Sequence, residues 1–179
     1  MNFFQRRSLL IFIIICQLLL IISLNNTVFA DENSGSQSGH LIEEKYESVN
    51  PSPSYGYSFK RLKEKITLII LSPFPSKKAD YYMDLMKVRL AEFKYVVDKK
   101  DISNLQTTSE RYFTTAGELT DLILKNKLEA KKGNTVILFE GHVKVVAELE
   151  NSYGDDTAQW RLIRYTTDNL QTYLSELKK

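Results

Sequence analysis

From Tyr55 onward, apolar residues return at alternating steps of three and four, the period that gathers them on one face of a helix. Tyr55, Phe59, Leu62, Ile66 and Ile69 predict a first helix over about Ser58 to Leu71, with Lys60, Arg61, Lys63, Glu64 and Lys65 on its other sides. Ser72-Pro73-Phe74-Pro75 ends it, because neither proline can donate to a helical ladder. Ser76 is the expected N-cap of a second helix, in which Ala79, Met83, Met86, Leu90, Phe93 and Val97 make five unbroken four-three steps. Lys99 and Lys100 suit the negative end of its dipole.

A third stripe, Ile102, Leu105, Ser109, Tyr112, Ala116, Leu119 and Ile123, predicts a helix from Ile102 to Lys131, capped by Asp101 or Ser103 and stopped by Gly133-Asn134. Gly117 inside it is expected to mark close approach of a neighbouring helix. Residues 135–150 could be read as a hairpin around Glu140-Gly141-His142. The stripe Val136, Phe139, Val143, Val146, Leu149 and Tyr153 favours a helix, since a lone hairpin would leave its edges unpaired in a helical domain. Gly154-Asp155-Asp156-Thr157 is a turn with capping chemistry, and Trp160, Ile163, Thr167, Leu170, Leu174 and Leu177 line the final helix. Such faces must meet one another, so residues 56–179 are expected to form an all-α domain. It is an antiparallel helical bundle, or a long helical hairpin with a smaller C-terminal helix pair folded against it.

The chain begins differently. Arg6 and Arg7 precede an almost continuous apolar run from Leu9 to Leu24, and Val28-Phe29-Ala30 offers small residues before Asp31. Residues 1–30 therefore read as an export signal, either cleaved after Ala30 or retained as a single-pass anchor with its N-terminus inside. The expected location is extracytoplasmic: periplasmic, cell-surface or secreted. Cys16 lies amid large aliphatic residues that do not form a lipobox. Residues 31–55, rich in Ser, Gly, Asn, Glu and Pro, read as a flexible tether with a root-mean-square reach of roughly 25 to 30 Å.

Charge and composition narrow the chemistry. The chain has 24 Lys and Arg against 22 Asp and Glu, and the excess is Arg6 and Arg7. The part after the signal is formally neutral, which argues against nucleic acid as a partner. Cys16 is the only cysteine, so disulfides and thiolate metal sites are not expected beyond residue 30. His142 has Leu138, Phe139, Val145 and Val146 at helical spacing, and none can ligate a metal. Asp155-Asp156 near Glu150 lacks the spacing of a calcium loop. No nucleophile elbow, Walker loop or dinucleotide fingerprint is present among the seven glycines. The expectation is a protein without catalytic, metal or cofactor-binding residues. Lys60, Arg61, Tyr81, Tyr95 and Tyr165 are the candidate interaction surface: the cations because they could meet anionic headgroups, the tyrosines because they fall off the main stripes.

The run from Ser52 to Ile66, with Ser52-Pro53-Ser54-Tyr55 and Lys60-Arg61-Leu62-Lys63-Glu64-Lys65-Ile66, is followed by Lys77-Lys78-Ala79-Asp80 and Arg89-Leu90-Ala91-Glu92. Over about residues 52–131 this resembles a bacterial family of exported helical proteins of unknown function. The resemblance implies a signal, a short tether and a helical domain, and it carries over no site residues. Taken together, these readings point to an extracytoplasmic interaction module whose partner is an envelope protein, a second copy of itself or a membrane surface, with no small-molecule cofactor. A periplasmic holdase is the alternative, weakened because Leu119-Thr120-Asp121-Leu122-Ile123 lacks the glutamine of a Leu-Thr-x-x-Gln motif; an envelope enzyme with an unrecognised site is the third reading.

Overall fold

The computed structural model describes Asn50 and residues 55–179, with side chains from Phe59 onward. The expected signal and most of the tether lie outside the described residues. Five helices run through the described part: α1 (Tyr55–Ile70), α2 (Pro75–Asp98), α3 (Ile102–Asn126), α4 (Glu129–Glu150) and α5 (Ala158–Lys178). No strand occurs among the described residues, so residues 135–150 belong to a helix.

Local chemistry sets most of the boundaries. Pro75 occupies the first helical position of α2, where a missing N–H costs nothing, so the N-cap is Phe74 rather than the expected Ser76. At the start of α3 the Asp101 carboxylate accepts from the Asn104 backbone N–H at 3.3 Å. The side chains of Ser103 and Asn104 also donate to it, and these hydrogen bonds hold its carboxyl below the usual range. Thr157 caps α5 by accepting from the Trp160 N–H at 3.1 Å.

The third helix is shorter than the expected Ile102 to Lys131. It ends at Asn126, where Lys127 turns left-handed at φ 51°, and α4 begins two residues later. Gly133 and Asn134, expected to stop α3, lie inside α4 on its exposed side. Burial of Thr135 and Phe139 outweighs their poor helix propensity.

Helices α2 to α5 form a four-helix bundle built from two antiparallel hairpins. In the first, Phe93 of α2 stacks with Tyr112 of α3. In the second, Lys178 pairs with Glu140 while Arg164 and Thr167 reach Glu150 at the other end. The hairpins pack with α2 beside α4, where Lys131 meets Asp80 and Thr135 meets Met83. On the other side α3 lies beside α5, where Ser109 meets Thr166 at 2.6 Å. Although consecutive, α3 and α4 lie nearly diagonal and touch little: α3 packs chiefly on α2 and then on α5, while α4 packs chiefly on α5.

The core follows the predicted stripes closely. Met86, Leu90, Phe93 and Val97 meet Leu105, Tyr112, Ala116, Leu119 and Ile123, then Phe139, Val146, Ile163, Leu170 and Leu177. Gly117 accommodates a side chain rather than a backbone: a Cβ there would stand 2.9 Å from the Tyr173 hydroxyl of α5.

Candidate functional site

Helix α1 reverses the usual arrangement. At about 100° per residue, Phe59, Leu62, Ile66, Ile69 and Ile70 span an arc of about 100°, and Glu64 lies almost opposite its centre. The apolar arc was expected to meet the other helices. Instead it faces water: Phe59 is 68% exposed, Leu62 53% and Ile69 71%. The opposite, charged side of α1 faces the bundle.

The cause sits in α2. Arg89 and Glu92 are buried beside the core residues Leu90 and Phe93, and neither charge can be left there alone. Arg89 donates to Glu92 at 2.8 Å and to Glu64 of α1, and Lys60 of α1 donates to Glu92 at 3.3 Å. Burial works against the Arg89 charge, but Glu92 and Glu64 outweigh it and raise its pKa. Turning α1 about its axis to bury the apolar arc would strip both buried α2 charges of their α1 partners. Breaking a buried pair in this way costs about 3 to 5 kcal/mol. The four charged groups therefore fix the rotation of α1. Leu68 adds an apolar contact on the inner side.

The two borders of the outward arc carry exposed Lys63 and Lys65. Beyond the helix, exposed Phe74 lies under the Lys77 ammonium, 5.7 Å from its ring centroid. Between Phe59 and Ala79 the only acid is Glu64, and it points inward. The outward surface of this segment is apolar and cationic.

Behind α1, an open cleft of about 420 Å³ lies against α2 and α3, lined by Arg61, Glu64, Arg89, Glu110, Arg111 and Glu118 among others. Its wall carries both cations, Lys65 among them, and carboxylates. Burial lowers the Arg111 pKa, and burial with the neighbouring Glu118 carboxylate raises that of Tyr82. These shifts leave both groups in their ordinary neutral-pH charge states. Deep in the bundle, Tyr112 Oη and His142 Nδ1 share a hydrogen bond of 3.0 Å. Burial first, and Lys87 second, push the His142 pKa down to about 3, so the ring is neutral at physiological pH.

The sequence-derived surface residues have different settings. Lys60 is engaged with Glu92, and Arg61 is half-buried in the cleft wall. Tyr81 and Tyr95 are half-buried against the core. Tyr165 is 54% exposed and meets Phe113 edge-on, with ring centroids 5.6 Å apart. They do not form one patch. The exposed arc of α1, missed as a surface, could have been suspected from Arg89 and Glu92, two opposite charges flanking core positions in α2.

Among the described residues, no cluster of three or more His, Cys, Asp or Glu is arranged to hold a metal ion, and no helix is long and apolar enough to cross a membrane. Comparison with family models, curated proteins and solved structures gives no match.

Proposed function

We propose that this protein is an exported, non-enzymatic interaction module whose working surface is the outward face of α1, displayed on a helical bundle and joined by a tether to an N-terminal signal or anchor. The observation that carries this reading is the orientation of α1, with apolar residues in water and charges inside. A domain evolved only to be stable would bury Phe59, Leu62 and Ile69, each worth about 1.5 to 3 kcal/mol when fully covered. Exposed apolar patches of this kind mark surfaces that meet something else. The arc is convex, which supports a docking surface over the concave cradle a client-holding chaperone would use.

The test joins location to surface. A phosphatase fused to the C-terminus, active only outside the cytosol, is expected to be active. The paired substitution Leu62→Ser/Ile69→Ser is expected to leave the melting temperature of the full chain within about 2 °C of wild type, because both side chains already face water. A cytosolic reporter signal, or a fall of 8 °C or more in the paired variant, would show that the chain is not exported or that the arc is part of its core.

A further inference from the structure

Resting on the reading of α1 as the working surface, we infer that its outward face docks on a membrane containing anionic phospholipid, lying in the plane of the headgroups. Three observations point to that occupant. The apolar arc is continuous, from Phe59 through Leu62 and Ile66 to Ile69 and Ile70, the form of a helix that sinks one face into the interface. Its borders are cationic on both sides, with Lys63 on one and Lys65, which also edges the cleft behind α1, on the other, and Lys77 follows beside exposed Phe74. Long lysine stems at the edge of an apolar face reach up to phosphate while their methylenes stay in the acyl boundary. The single acid of the segment, Glu64, is turned away into the Arg89 pair, so no negative charge opposes an anionic surface.

The same charges disfavour a second copy of the chain. An antiparallel pair of α1 faces would set lysine against lysine, and a parallel pair would offer no acid to either. A neutral or acidic protein groove would satisfy the lysines, but nothing in the chain places one beside α1. In the anchored form of the chain the sequence supplies the bilayer, since only 30 residues separate the end of the apolar run at Leu24 from Tyr55. In this arrangement the buried ions turn the bundle so that its greasy helix meets the lipid.

The experiment uses the full chain reconstituted in vesicles, so that insertion of the N-terminal segment is common to every arm. Cys16→Ser removes the native thiol, and an environment-sensitive fluorophore is attached at Ile69→Cys or, as a control, at the exposed site Gln171→Cys. In vesicles with one third phosphatidylglycerol, the probe at 69 is expected to shift to the blue and be quenched by lipid-borne nitroxide, while that at 171 stays aqueous. In pure phosphatidylcholine both are expected to stay aqueous. Each of Lys63→Gln and Lys65→Gln is expected to weaken docking about 5-fold at low salt, and raised salt to weaken it further. A probe at 69 that stays aqueous in both lipids overturns the inference. If it then shields as protein density per vesicle rises, whatever the lipid charge, a second copy covers the arc and the module reading survives. If it stays aqueous throughout, and also in intact cells, the module reading falls with it.

Discussion

Removing the Arg89 guanidinium should release α1 from the bundle before the bundle itself unfolds. The Glu92 side chain is 1% exposed and that of Glu64 11%, and both accept from Arg89. Arg89→Met keeps most of the side-chain volume and strands two carboxylates. Breaking a buried pair costs about 3 to 5 kcal/mol, and the lower end applies because Lys60, 3.3 Å from Glu92 and still partly in water, can follow it. At 1.4 kcal/mol per tenfold, a loss of about 3 kcal/mol raises the undocked population roughly 100-fold. Chymotrypsin cutting after Phe59 and Leu62 reads that population, while urea melts followed by circular dichroism read the whole. The expected result is cleavage faster by about two orders of magnitude with a smaller change in the bundle transition. The apolar replacement Glu64→Leu/Arg89→Met/Glu92→Leu should return to within about 1 kcal/mol of wild type or exceed it, since no desolvated ion remains. Cleavage unchanged by Arg89→Met would refute the claim that these ions hold α1.

His142 makes stability depend on pH in one direction. Its folded pKa, about 3, lies below the ordinary 6.5, so below pH 6.5 the unfolded chain takes up a proton that the folded ring refuses. Stability attributable to this residue is constant above pH 6.5 and falls by about 1.4 kcal/mol per unit until about pH 3. Urea melts at pH 7 and pH 5 should show wild type losing about 2 kcal/mol more than His142→Gln, a difference in which shared carboxylate effects cancel; an imidazole titrating at pH 6 to 7 by NMR would contradict it. Gly117→Ala should be close to neutral, because a gain of up to about 1 kcal/mol in helix propensity is offset by displacing the Tyr173 hydroxyl. In a Tyr173→Ala background the same change should stabilise by nearly the full amount, measured as a double-mutant cycle.

The bundle was legible where a stripe ran long and unbroken. In α3, every predicted position from Leu105 to Ile123 is buried, and in α2 only Met83 stays partly open. The break between α3 and α4 was not legible, because Lys127 adopts the left-handed turn without being glycine, while the true glycine at 133 sits in open space inside a helix. Thr135 and His142 are fully buried although neither falls on the predicted stripe, since a polar residue shows its burial only once partners such as Met83 and Tyr112 are placed. For α1 the periodicity identified the apolar arc correctly and could not tell which way it pointed. That direction is decided by Arg89 and Glu92, more than eighteen residues away in sequence, and a helical wheel of α1 alone carries no trace of them.

Two openings in α4 bear on what makes it a helix. A Cβ added at Gly133 or at Gly141 would meet nothing within 4 Å, so neither position is glycine for reasons of space. Each costs the isolated segment about 1 kcal/mol of helicity, in a stretch already rich in β-branched residues. This segment has little tendency to coil before it is docked. Its helical order therefore comes from packing, chiefly against α5 and then α2, rather than from its own propensity.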